Sequence, residues 1–153
     1  MRSSEIMLDF DDCSRSRLLH LIRSRWGFLF RFSWPLVGRL RVQHADVRRT
    51  RHGYHVRIRV KNKIPSWELN FLQLALGSDC RRECMNLRRI KSCKQMKSWN
   101  VLYAFKFNNR GDVTSREKLD LRLSRRIADI VKGFQKGLTV STPYRSKSQG
   151  TAR

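Results

Sequence analysis

Acidic residues are scarce in this chain. Twelve Asp and Glu stand against 34 Lys and Arg over 153 residues, a formal net charge of +22 with a pI near 11.4. Such an excess opposes compaction unless a polyanion neutralises it, so nucleic acid, DNA or RNA, is the expected partner. Long apolar runs are missing as well. Although 40% of residues are hydrophobic, no continuous apolar stretch reaches the roughly 18 residues of a spanning helix, and no charged-then-apolar signal stands at the N-terminus. A cytoplasmic, intracellular protein without a membrane partner is expected. Cysteines number four, at Cys13, Cys80, Cys84 and Cys93, too few and too unevenly spaced for a disulfide framework. Cys80 and Cys84 with Cys93 could offer three thiolates to zinc, but paired CxxC knuckles are lacking and zinc is not expected.

What remains reads as one domain over 1–140 and a polar, Ser-rich, basic tail over 141–153 that has no apolar period. Alternation predicts a strand over about 5–11, and Asp12 or Ser14 can cap a helix running to about Trp26, with Gly27 as its stop. Residues 28–34 read as a packed connection. A hairpin follows, 39–50 with 54–61, turning at Arg51-His52-Gly53. Pro65-Ser66 opens a helix that ends at Gly77, a second helix covers about 79–91, and a strand is expected at 99–107 before a turn at 108–112. Thr114 with Glu117 has the spacing of a capping box. It would start a helix whose stripe is Leu119, Leu123, Ile127, Ile130, Val131 and Phe134, ending at Gly137. The order is that of an α+β, ferredoxin-like (RRM-like) βαββαβ sheet with an added C-terminal helix.

Strand alternation sends Ile6, Leu8 and Phe10 to one face and Asp9 and Asp11 to the other, and likewise separates Val56, Ile58 and Val60 from His55, Arg57 and Arg59. One sheet face would then carry two carboxylates, an imidazole and guanidinium groups, a set able to hold a divalent metal and a phosphate. Arg48, Arg49 and Arg51 surround the hairpin turn, and Arg81, Arg82, Arg88 and Arg89 cluster on the middle helix. With Arg57 and Arg59 these are the candidate nucleic-acid contacts. Trp67, Trp99, Tyr103 and Phe105 could stack bases where exposed, and Tyr103 and Phe105 read better as core. The plain alternatives are a strand end whose carboxylates favour the following helix N-terminus, and a histidine bonded within its sheet.

Met7-Leu8-Asp9-Phe10-Asp11 resembles the hydrophobic-Asp-hydrophobic-Asp motif of archaeo-eukaryotic primases and primase-polymerases, whose palm is RRM-like. Arg48-Arg49-Thr50-Arg51-His52-Gly53-Tyr54-His55-Val56 resembles that family's second motif, a small or basic turn, then glycine, a hydrophobic residue and histidine at a strand start. The resemblance implies that Asp9 and Asp11 bind the catalytic metal, Mg or Mn, that His55 contacts the incoming nucleotide's phosphates, and that the protein could carry out nucleotidyl transfer in the replication of a virus or mobile element. The family also supplies a later-strand aspartate. None lies in 99–107, and the apolar stripe puts Asp120 of Lys118-Leu119-Asp120-Leu121 on a helix. The other classes open to such a chain are a non-catalytic DNA- or RNA-binding module and a structural, ribosome-associated component of a ribonucleoprotein.

Overall fold

The computed structural model describes residues 2–92, 100, 105–107 and 113–136. The tail over 141–153, the turn at 108–112, Cys93, Trp99 and Tyr103 lie outside the described residues.

The chain is an α+β fold with an antiparallel sheet. β1 (Arg2–Asp11) is longer than its apolar pattern suggested, and it pairs with β5 (Gly53–Pro65), which pairs with β4 (Val42–Arg49). The hairpin turn is the expected one: Gly53 N–H donates to Thr50 Oγ1 at 2.9 Å. Gly53 also opposes Asp11 across the β1–β5 pair, and a Cβ there would stand 1.8 Å from the carbonyl oxygen of Phe10. Glycine is required because the two backbones meet at that point.

Helices cover one face. Asp12 takes a left-handed φ of 49° that ends β1, and Ser14 accepts the N–H of Arg17 to cap α1 (Arg15–Leu21). The helix does not stop at Gly27. It widens into a π-turn over Ile22–Trp26 and continues as α2 (Gly27–Arg31), so the stretch expected to be an irregular connection is helical in its first half. A Cβ on Gly27 would lie 3.2 Å from the Phe134 ring, so glycine serves helix packing here and does not terminate the helix. Two short strands, β2 (Ser33–Trp34) and β3 (Gly38–Arg39), pair with each other before β4. After β5 come α3 (Ser66–Ala75) and α4 (Cys80–Ser92), as expected.

The core lies between the sheet and these helices. Ile6, Leu8, Val47, Val56 and Ile58 are fully buried with Leu18, Ile22, Trp26 and Phe30, with Leu69 and Leu76, and with Leu123, Ile127 and Val131. At roughly 1.5–3 kcal/mol for each large side chain removed from water, this cluster dominates folding. Trp26 keeps its indole N–H satisfied at 2.9 Å from the carbonyl of Leu76.

The C-terminal part departs most from expectation. Of the strand expected at 99–107, the described end is β6 (Phe105–Phe107), residues 99 and 101–104 lying outside the described residues, and it pairs with β7 (Val113–Arg116) in a two-stranded sheet separate from the main one. β8 (Lys118–Leu119) joins the main sheet at the β4 edge, giving the order β1-β5-β4-β8. The final helix, α5 (Leu121–Lys136), therefore begins seven residues after the proposed Thr114 cap. Asp120 caps it by accepting the N–H of Leu123 at 2.9 Å, while its own N–H donates to the carbonyl of Val47. Leu119, counted in the apolar stripe, sits on β8 and is half exposed. The stripe from Leu123 onward packs as expected, and the cap pattern misled because strand pairing outweighed a two-residue capping signal.

No helix among the described residues is long and apolar enough to cross a membrane.

Candidate nucleic-acid interface

Register converts the two sequence motifs into one row. Asp9 pairs with His55, and His55 pairs with Arg48 on its other side. The next rows along the same face are Met7, Arg57 and Asp46, then Glu5, Arg59 and His44. Alternation thus holds as expected: Val56, Ile58 and Val60 enter the core while His55, Arg57 and Arg59 take the polar face. Asp11 lies two residues beyond Asp9 on that face, exposed at the end of β1.

His55 is nearly sealed. Its Nε2 stands 3.4 Å from Asp9 Oδ1, long for a hydrogen bond, and its Nδ1 lies 2.8 Å from Oε2 of Glu117. Burial works against the imidazolium, but hydrogen bonding and charge from Asp9 and Glu117 outweigh it and raise the His55 pKa above its ordinary value. Glu117 is itself 4% exposed and holds three basic side chains at once, because its Oε1 also lies 3.1 Å from Arg48 Nη1 and 3.5 Å from Arg57 Nη2. The residue read as the third position of a capping box is the centre of the polar face. The signal that could have exposed it is its place one residue before β8, whose Leu119 pairs with Arg48.

Arginines proposed as one class fall into two. Arg49, Arg81, Arg88 and Arg51 are exposed, and Arg59 is exposed while paired with Glu5 at 2.9 Å. Arg82 turns inward. Its Nη1 donates to the carbonyl of Met7 at 2.8 Å and to Glu83, and its Nη2 donates to Asn100 Oδ1 at 2.6 Å. Arg89 is half-buried and donates to Asn86. Both belong to a polar corner built around Glu83. That corner also occupies the outer edge of β1: Gln73 accepts the N–H of Met7, Ser78 accepts the N–H of Asp9, and the N–H of Asp79 donates to the carbonyl of Asp9. Arg82 is thus removed from the candidate phosphate contacts, because a guanidinium buried against a carboxylate is already spent.

Among the described residues no group of three or more His, Cys, Asp or Glu is arranged to hold a metal ion. Cys80 and Cys84 are exposed on α4. Asp9 and Asp11 are the two-carboxylate set of the kind Mg²⁺ uses together with water and substrate phosphates, and Asp9 Oδ1 is buried with no hydrogen bond of ordinary geometry, His55 Nε2 standing 3.4 Å from it. Trp67 is half exposed, beside Phe71 on α3. Comparison of the chain with family models, with curated proteins and with solved structures finds no match.

Proposed function

We propose that the protein binds nucleic acid across the polar face of its sheet, on a ferredoxin-like palm resembling that of the primase-polymerases. The observation that carries this reading is the row of Asp9, His55 and Arg48, in which register sets Asp9 of β1 against the distant β4–β5 hairpin, on the face that also bears Arg57 and Arg59. The order β1-β5-β4 is that of the first three strands of the ferredoxin-like plan, while β8 at one edge and the α3–α4 corner at the other depart from it. A net charge of +22 supplies the long-range attraction to phosphate. The direct test is titration with single- and double-stranded oligonucleotides from low to moderate salt. Binding that falls steeply with salt is expected, and no binding to either at low salt ends the proposal.

A second reading, metal-dependent nucleotidyl transfer, is favoured by Asp9 Oδ1, which accepts no hydrogen bond of ordinary geometry and lies two residues from Asp11. Bound Mg²⁺ or Mn²⁺ would stabilise charge developing on a transferring phosphoryl group. Asp9 and Asp11 would hold it, and His55, fixed in orientation by Glu117, would present its Nε2 edge beside them. Asp9→Asn with Asp11→Asn should abolish metal-dependent strand extension while leaving oligonucleotide binding intact or tighter. A wild-type protein that extends no template with either metal leaves the binding module alone.

A further inference from the structure

On the helix side of the sheet, where β4 and β8 meet the start of α5, the chain forms a cleft of about 510 Å³, open to solvent and lined by Arg49, Lys118, Arg122 and Arg125. Arg49 and Lys118 pair across β4 and β8, and Arg122 and Arg125 lie three residues apart on one face of the first turns of α5. Asp120 is the one acid in the lining, and its Oδ1 is held by the N–H of Leu123. No salt bridge or side-chain hydrogen bond engages any of the four cationic groups among the described residues, in contrast to Arg48 and Arg57, which share Glu117.

Four cations facing a single carboxylate in one cleft leave a net positive charge there, and a phosphate relieves that repulsion. The start of the 16-residue α5 adds its positive dipole end to the same space. We propose that this cleft is a phosphate-binding site. Resting on the nucleic-acid reading above, it extends the contact surface around the β8 edge to the other side of the sheet, where Arg49 faces away from its neighbour Arg48, so that a strand crossing the polar face and turning that edge places a phosphate in the cleft. A nucleoside triphosphate tail offers the same chemistry and is told apart by the test.

The variant Lys118→Gln/Arg122→Gln/Arg125→Gln removes three cleft cations, and Arg15→Gln/Arg23→Gln/Arg25→Gln removes three exposed cations outside the cleft lining as an equal-charge control. Oligonucleotide affinity of the cleft variant should fall about tenfold more than that of the control, with a salt slope lowered by about 0.7–0.9 for each phosphate no longer neutralised. In parallel, inorganic tripolyphosphate titrated into the ¹⁵N-labelled wild type should shift the amides of 118–125, and these shifts should vanish in the cleft variant. Loss of tripolyphosphate binding with unchanged oligonucleotide affinity assigns the cleft to a nucleotide tail. A cleft variant matching the control in both titrations overturns the site and leaves the nucleic-acid reading standing. Wild type that binds tripolyphosphate in the cleft but no oligonucleotide overturns that reading and keeps the site, and no response to either ligand removes both.

Discussion

Glu83 at the α3–α4 corner and Glu117 ahead of β8 are both almost closed to water, at 1% and 4% side-chain exposure, yet they are compensated in opposite ways. Glu83 accepts from neutral groups, the amides of Asn70, Gln73 and Asn86 and the hydroxyl of Ser78, and from one guanidinium, that of Arg82. Its neighbours are then bonded to the β1 backbone, so the cluster serves as a strap across that edge. Among the described residues Glu117 is partnered by the basic groups of His55, Arg48 and Arg57, all on the face proposed to meet phosphate. A buried carboxylate needs donors in either case. Where the donors are amides the product is rigidity, and where they are cations it is a reserve of positive charge held in check.

The largest effect should come from a carboxylate with neither kind of partner. Val56 is fully buried between the helices and the sheet, and Val56→Asp places an uncompensated acid there. A cost of roughly 2–7 kcal/mol is expected for an unpaired polar group alone, enough to abolish cooperative thermal unfolding in a domain of ordinary stability. A variant that still melts as a single cooperative unit near the wild-type temperature would mean that β5 faces the other way and that the whole row is misassigned.

Next in size is Glu83→Gln, which keeps the shape but leaves the guanidinium of Arg82 buried without its counter-charge. Breaking a buried pair from one side costs about 3–5 kcal/mol. Urea unfolding should show a loss in that range, while oligonucleotide affinity of the folded fraction stays near wild type because the corner lies off the proposed contact face. A stability change under about 1 kcal/mol would mean that the corner does not strap β1, since that is the scale of an exposed pair.

Glu117→Gln should divide the two roles. Hydrogen bonds to charged groups are worth about 1.5–3 kcal/mol each, and glutamine keeps part of that set, so the stability loss should be smaller than for Glu83→Gln. Affinity should move the other way. Removing the carboxylate that holds Arg48 and Arg57 frees positive charge on the polar face, so oligonucleotide binding should tighten and its salt dependence steepen. Weaker binding in a folded Glu117→Gln protein would mean that the carboxylate orients the cations for phosphate and does not restrain them.

These two clusters also mark where the sequence could be read and where it could not. Period-2 alternation put Asp9 with His55 and separated Arg57 from Val56, because a strand with one buried face allows only one register. Gly53 was legible as a turn residue, though its decisive constraint, the carbonyl of Phe10, comes from another strand. Glu117 and Glu83 were not legible. Glu117 lies 62 residues from His55 in sequence, and its local pattern with Thr114 imitates a helix start more closely than it signals a two-residue edge strand. Arg82 and Glu83 read as part of a charged helix face, since nothing local distinguishes a side chain folded back onto β1 from one in water. The arginines were visible as a class, but which are spent on carboxylates and which remain free is a matter of tertiary pairing.

The smallest expected effect is the pH response of His55, and it tests whether the Glu117 cluster holds an imidazolium. The His55 pKa is raised in the folded protein, with burial opposing and the carboxylates of Asp9 and Glu117 prevailing. A group raised in this way contributes stability that is fully present below its unfolded value, about 6.5, and is lost as pH rises through the folded value. Wild-type stability should therefore decline from about pH 6.5 upward, by more than His55→Gln declines over the same interval. The comparison with His55→Gln isolates the part of that decline that depends on His55. Glu117→Gln should reduce the same difference, because one of the two carboxylates that favour the imidazolium is gone. If wild type and His55→Gln decline in parallel, His55 is not held as an imidazolium between Asp9 and Glu117, and Arg48 and Arg57 then share Glu117 with no third cation.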